Sequence, residues 1–451
     1  MSAPSHNDSV GLKLRALVAL SAIAVMLAAA PGAIASDEGS GSLPPGAAST
    51  AVRLSAYAGP ERYLKIEAIG TSIKLYDGTS PGSMTQRVAA ADSTNAAAGQ
   101  AGLWATAVAF IDSTLAQFDI LAAEDTAVAG GCDSTVSSVS AARQAVNGAA
   151  GGETICLTDG TYGPMTLDNN SAKSLVRLKA VNPLGAVFRS RVVLGSNVAI
   201  DGLDITATGS YASGHCVSIQ TNEKNNAILN SHLHDCDRDG ISWDRPLQNN
   251  SNATTGTLVK GNLIEDVGKR DDAGNSMTIR GDDVSVIDNE MTRGRNDAVN
   301  LWGDSHLFQG NYIHDFSNVV GNHNDAFQTW QDYADGYSAA PLTNLIVERN
   351  VIENITGPHS HGMMLEGSAN ANLTVQDNLW DTIGSSASDI QDSPSNVRFL
   401  RNTYYNTGAI SFSDDGGATG GKLIGNIFAG STPASITASC SCTAEHNTGD
   451  G

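Results

Sequence analysis

Basic residues are scarce in this chain. It has 26 Lys and Arg against 47 Asp and Glu, a formal charge of −21. Nucleic acids and anionic membrane surfaces are held by clustered Lys and Arg, so neither is an expected partner. An acidic polymer could be handled only through a local basic patch or a bridging cation. Cysteine is sparse too, with six in 451 residues, and no pair has the C-x-x-C spacing of a zinc or redox site. Beyond the first 35 residues there is no apolar run long enough to cross a bilayer. Helical patterning is nearly missing after residue 150, which argues against an ordinary α/β fold.

What is present begins with a secretory signature. Lys13 and Arg15 precede an uncharged run from Ala16 to Ala30, Pro31 breaks it, and Ala33-Ile34-Ala35 offers small residues for cleavage. Residues 1–35 are therefore expected to be a signal peptide, leaving a secreted protein with no membrane association. An oxidising destination makes structural disulfides the natural fate of the cysteines. Residues 36–50, rich in Gly, Ser and Pro, form a linker. Residues 51–130 are expected to be a small α/β module or a pro-region. In it "RYLKIEAIGTSIKLYDG" alternates about Gly70-Thr71 as a hairpin does, and Leu103, Val108, Ile111, Leu115 and Phe118 recur at helical spacing.

From residue 131 the chain repeats itself. Asn followed by apolar residues recurs in "GNLIED", "DNEMTR", "GNYIHD", "RNVIEN", "DNLWDT", "RNTYYN" and "GNIFAG", with "LNSHLHD" (Asn230) as a looser member. Short strands at a period near two dozen residues predict an all-β solenoid, a right-handed parallel β-helix over 131–451. Successive coils would lie about 4.8 Å apart along the axis, and the asparagines would stack at one corner. A propeller blade needs a longer period and four strands. Cys132–Cys156 and Cys216–Cys236 are each separated by about one coil and are expected to pair; the state of Cys440 and Cys442 stays open.

A second column follows the first. Asp239, Asn275, Asp297, Asp325, His361 and Ser388 stand just before strands whose inward residues are Ile241, Met277, Val299, Phe327, Met363 and Ile390. Ser242, Thr278, Asn300, Gln328, Met364 and Gln391 would then face outward. Asp and Asn are common at coil corners, where they tolerate turn conformations and bond to the local backbone. The preceding loops, however, are unusually charged: "VGKRDDAGN", "RGRND", "GNHND" and "GPHSH". Loops on a rigid scaffold are where binding and catalysis concentrate.

The stretch "SAARQAVNGAAGGETICLTDGTYGPMTL" resembles the opening of secreted pectate-lyase-like right-handed β-helices, in which a capping helix leads through a Gly-rich turn into the first coil. That fold hosts lyases, hydrolases, epimerases and adhesins, and the expected partner is an acidic polysaccharide. More narrowly, "SMTIRGDDVSVIDN" is similar to the segment of alginate lyases and chondroitinase B, polysaccharide lyase family six, that carries the catalytic arginine. The likeness implies Arg280 on the acid side, and a lysine base one coil earlier implies Lys260. Two departures stand against it. Lys260 comes directly before Gly261 and Asn262 rather than several residues earlier, and the basic segment of the next coil is missing.

β-Elimination on a uronic-acid polymer needs a neutralised carboxylate, a base for the C5 proton and an acid for the leaving oxygen. The chain offers His323 and His361 as bases and Lys269, Arg270, Arg293 and Arg295 as anion contacts. Gln328 and Trp330 are expected to meet the sugar, and Asp239, Asp297 and Asp325 to hold a cation such as Ca²⁺. The expected function is that of a secreted, monomeric polysaccharide lyase. A uronan C5-epimerase or glycoside hydrolase on the same fold is one alternative, and a non-catalytic polysaccharide-binding adhesin is another.

Overall fold

A computed structural model of the chain describes strand residues 52–53, 63–69, 72–80 and 83–89 and most of 131–449. Its gaps in that span are 171, 173, 210–213, 244–253, 271–273, 318–322, 331–339, 358, 368, 393, 413–418, 431–434, 437–440 and 446. The expected signal peptide, the linker and the helical pattern at 103–118 lie outside the described residues. Strands Tyr63–Ile69 and Ser72–Ser80 pair antiparallel with Ile69 opposite Ser72, within a four-stranded antiparallel sheet; the expected turn residues lie outside the described ones.

The solenoid arises from short strands that bury every second residue. In Val176–Ala180 ("VRLKA") Val176, Leu178 and Ala180 are buried while Arg177 and Lys179 are half-buried. No such strand can cover its own apolar side, so the chain coils and stacks it on the next coil. A representative coil runs through Ile346–Glu348 on a first face, Val351–Thr356 on a second and His361–Leu365 on a third, then returns to the first at Ala371–Gln376. All pairings between coils are parallel: Val347 sits opposite Val375, Ile352 opposite Trp380 and Phe327 opposite Met363. One continuous core of stacked aliphatic and aromatic side chains fills the interior.

At the N-terminal end the helix Val139–Gly148 closes the core. Ser138 caps it by accepting from the Ala141 N–H, and Ala142 and Val146 are buried beneath it. Disulfides join Cys132 to Cys156 and Cys216 to Cys236, as their spacing implies. Cys442 is also disulfide-bonded. The described residues contain no helix long and apolar enough to cross a membrane.

The asparagine ladder is buried at the corner between the first and second faces. Asn350 accepts from the backbone N–H and the Nδ2 of Asn311 at 2.8 and 2.9 Å. It donates from its own Nδ2 to Phe308 O and to Asn378 Oδ1. The pattern holds from Asn262 to Asn447. At its N-terminal end the register differs from the sequence reading: Ser231, not Asn230, takes the rung, donating its N–H to Asn262 Oδ1 at 2.9 Å. Asn230 is instead the corner residue, with φ 46°. Gly261, Asp288, Gly310, Arg349, Asp377, Arg401 and Gly425 hold the same left-handed position, each directly before a ladder Asn.

Candidate functional site

The corner between the second and third faces carries the other column. Pairing of Val217 with Ile241, Met277, Val299, Phe327, Met363 and Ser388 aligns the residues two positions earlier. The rungs are thus His215, Asp239, Asn275, Asp297, Asp325, His361 and Ser386. Two expectations are corrected by this register. Ser386 rather than Ser388 faces His361, and Ser388 is buried opposite Met363. Asp389, not Gln391, continues the outward row from Gln328 and Met364. His215 was missed, although "GHCVSI" puts it at the same distance from an apolar inward residue.

Each carboxylate of the column first serves the backbone. Asp239 Oδ1 accepts from Asn275 N at 3.0 Å, Asp297 Oδ1 from Asp325 N at 2.8 Å and Asp325 Oδ1 from His361 N at 2.8 Å. A carboxylate has capacity left after one such bond, and side chains take it up. Asn296 Nδ2 donates to Asp297 Oδ2 at 3.2 Å and to Asn275 Oδ1 at 2.8 Å. His323 Nδ1 lies 3.1 Å from Asp325 Oδ2 and 3.6 Å from Asp297 Oδ1. His361 Nδ1 reaches Asp325 Oδ1 at 3.0 Å. The side chains of Asp297 and Asp325 are 1% and 0% exposed, that of His361 15% and that of His323 44%. Carboxylates lie beneath and imidazoles above.

Burial sets the charges apart. Desolvation pushes the Asp297 carboxyl up to about 6, with the nearby Asp325 charge adding to the effect. Burial also works against ionised Asp325, but hydrogen bonds from His323 and His361 outweigh it and hold that carboxyl low. Hydrogen bonds to Asp297 and Asp325 raise His323 to about 10, so it carries a proton at neutral pH. Asp239 is fully buried, and the His215 bond overcomes that burial to keep it ionised.

The other predicted residues are distributed more widely. Gln328 is nearly buried in the outward row next to Asn300. Trp330 meets Trp302 edge-on with ring centroids 4.5 Å apart, and Trp302 Nε1 donates to Trp330 O at 2.7 Å. The Arg280 guanidinium stacks 4.9 Å from the centre of the Trp302 ring. Arg280 sits further along the chain than its rung Asn275, by roughly 16 Å of extended backbone, in the strand Met277–Ile287, so it stands beside the His323 group rather than in it. Lys260 is buried at the end of a first-face strand, opposite Ile287. Arg280 ends the third-face part of that neighbouring strand, opposite Trp302. Lys269 pairs with Asp235, and Arg293 with Glu265 and Asp266. Arg270 donates to Gly209 O and Arg295 to Lys269 O. Local acids and carbonyls thus engage the charge read as anion contacts.

Asp297, His323 and Asp325 offer three ligand atoms within 4.8 Å of one another, enough to hold a metal ion. Asp239 does not join them. It lies two rungs from Asp297, roughly 10 Å along the axis, and is bound to His215 and to Asn275 N.

No family model matches the chain, and no curated protein matches its sequence. Among solved structures it is similar to the Streptococcus pneumoniae surface protein and adhesin PfbA (12% identity, TM-score 0.45, covering 69% of this chain and 91% of that one). It is also similar to the catalytic unit of a GH87 α-1,3-glucanase from Streptomyces thermodiastaticus (14% identity, TM-score 0.43, covering 71% and 68%). A third likeness is to a mannuronic acid specific polysaccharide family 6 lyase from human gut microbiota (14% identity, TM-score 0.44, covering 69% and 83%). An adhesin, a hydrolase and a lyase thus stand side by side among these likenesses.

Proposed function

We propose that the chain is a secreted polysaccharide lyase that cleaves a uronic-acid-containing polymer by β-elimination, with His323 and His361 moving the protons. One observation carries this reading: a single buried carboxylate, Asp325, holds both imidazoles, and Asp297 lies beneath His323. Histidines rather than carboxylates are therefore presented to a bound chain. Two-carboxyl hydrolysis asks both acids to reach the glycosidic oxygen or its water, and here both are buried with an oxygen committed to backbone N–H.

His361 donates Nδ1–H to Asp325, which leaves Nε2 as the acceptor for the C5 proton, the orientation a general base needs. The C5–H pair becomes the C4–C5 double bond, the C4–O bond breaks, and protonated His323 gives its proton to the leaving oxygen. Asp325 stabilises each imidazolium in turn. Arg280, stacked on Trp302, would contact the carboxylate of a neighbouring sugar. Calcium fits this group poorly. It takes six to eight oxygen ligands, whereas Asp297, His323 and Asp325 supply two carboxylates and a nitrogen. No step is routed through it, and turnover is expected to survive a chelator.

The test is to incubate the protein with alginate, pectate and glycosaminoglycans, with and without chelator, and follow ultraviolet absorbance from unsaturated uronides. Absorbance growing on at least one uronan supports the lyase. New reducing ends without absorbance, on any glycan, would replace it with a hydrolase. Exchange of C5 hydrogen with solvent without cleavage would indicate the epimerase, and binding without chemistry the adhesin.

A further inference from the structure

Away from the His323 group, a second histidine cluster lies on the second face. "HLH" sets His232 and His234 on the same side of one strand, with ring centroids 4.0 Å apart. Asp204, from the coil before, is paired in register with His232. The proposed lyase chemistry uses none of the three.

We propose that Asp204, His232 and His234 form a zinc site. Their ligand atoms lie within 4.8 Å of one another. His232 Nδ1 is 3.7 Å from Asp204 Oδ2 and His234 Nε2 is 3.4 Å from Asp204 Oδ1. Around tetrahedral zinc, with bonds of about 2.0–2.2 Å, neighbouring donors stand roughly 3.3–3.5 Å apart; both His–Asp separations are close to that, and the two stacked rings, 20° from parallel, would splay to aim both nitrogens at one ion. Both rings thus turn one nitrogen towards the same carboxylate.

The outer contacts match what a metal-ligating imidazole requires. A ligand histidine almost always gives its second nitrogen to a carboxylate or carbonyl, which fixes its tautomer and ring plane. Here His232 Nε2 meets Glu265 Oε1 at 3.0 Å and His234 Nδ1 meets Asp235 Oδ2 at 2.7 Å. Those acids are held in turn, Glu265 by Arg293 and Asp235 by Lys269. Lys269 and Arg293, two of the expected substrate contacts, thus hold the acids that orient the histidines of this site. Three protein donors leave the fourth position for water or an anionic ligand, and the donor set of two imidazoles and one carboxylate suits zinc over calcium or magnesium.

The experiment uses the full chain, stripped with a chelator and dialysed, and titrated calorimetrically with zinc chloride. One equivalent is expected to bind with micromolar or tighter affinity. His232→Ala should abolish that equivalent, and Glu265→Gln should weaken it by about 10–100-fold. Cobalt in place of zinc should show the visible bands of a tetrahedral site. Asp204→Asn, a near-isosteric change, guards against misfolding of the alanine variant and should lower affinity while the circular dichroism stays native. His323→Ala should leave this equivalent intact, which separates it from the Asp297–His323–Asp325 group. The site is overturned if zinc does not bind, if binding survives in both His232→Ala and Asp204→Asn, or if His323→Ala alone removes it.

Discussion

The asparagine ladder at the first corner and the Asp–His column at the next are built by the same geometry. Each sets one polar side chain per coil, about 4.8 Å apart, and each side chain accepts a backbone N–H from an adjacent coil. They differ in what remains afterwards. A carboxamide has donors as well as acceptors, so Asn350 closes its bonds on the rungs before and after it and on Phe308 O. Nothing is left over for a ligand. A carboxylate in the same role has only acceptors and a charge, and it must draw cations or hydrogen-bond donors from the loops. Asp325 draws His323 and His361. Replacing the amide by the acid turns a structural column into one that holds titratable groups at the surface.

If that contrast is right, the largest effect belongs to the imidazoles. His323→Ala and His361→Ala should each lower turnover on the responsive uronan by at least about 10²-fold, the usual worth of a general acid or base. Turnover is read per folded molecule, because losing either imidazole also leaves the buried Asp325 carboxylate short of a partner and should lower the thermal midpoint. Turnover near the parent rate in both variants would move the chemistry to another face.

Asn350→Ala should do the reverse. It strands the N–H of Asn311 and the carbonyl of Phe308 inside the coil, and a buried unpaired group costs about 1–3 kcal/mol. A loss of about 2–3 kcal/mol in chemical denaturation, with turnover per folded molecule unchanged, would confirm that this column is structural only. Loss of activity without loss of stability would break the comparison.

Charge supplies a third contrast, since the asparagines do not titrate. Asp297 has a folded pKa raised from 3.8 to about 6 by burial. The folded protein therefore binds this proton more tightly than the unfolded one, and the stability it lends is present below pH 3.8 and lost as pH rises through about 6. His323, raised from 6.5 to about 10, contributes stability that is full below 6.5 and lost as pH rises through about 10. Asp297→Asn, which mimics the protonated acid, should flatten the loss between pH 4 and 6 relative to the parent. Equal slopes in denaturation midpoints across that window would mean that Asp297 titrates normally.

Which parts of this were legible in the sequence follows from what each depends on. The ladder was legible because Asn with its apolar neighbours repeats within a single strand and corner, so local pattern suffices. The rungs Asp239, Asn275, Asp297, Asp325 and His361 were legible for the same reason. Ser388 was misplaced because small residues fill the inward positions of "SASDI" and the apolar cue fell on Ile390, two residues late. Partners from different coils were not legible, because loops of unequal length hide the register. That Arg293 meets Glu265 follows only once Glu265 is seen opposite Thr292. Asp204 beneath His232 was hidden in the same way.

The smallest expected effect tests the ladder corner itself. Arg349 directly precedes Asn350 at φ 58°, a left-handed conformation costing a side-chain-bearing residue roughly 1–2 kcal/mol. Glycine avoids that cost but gives up about 0.5–1 kcal/mol to its freer unfolded chain. Gly261, Gly310 and Gly425 already occupy this position with φ of 66°, 68° and 68°, so the backbone accepts it. Arg349→Gly should therefore stabilise the protein by about 0.5 kcal/mol and leave turnover untouched. A lower denaturation midpoint would show that the arginine side chain contributes more to this corner than its backbone strain costs. Lost turnover would link the ladder corner to function, against the separation of the two columns.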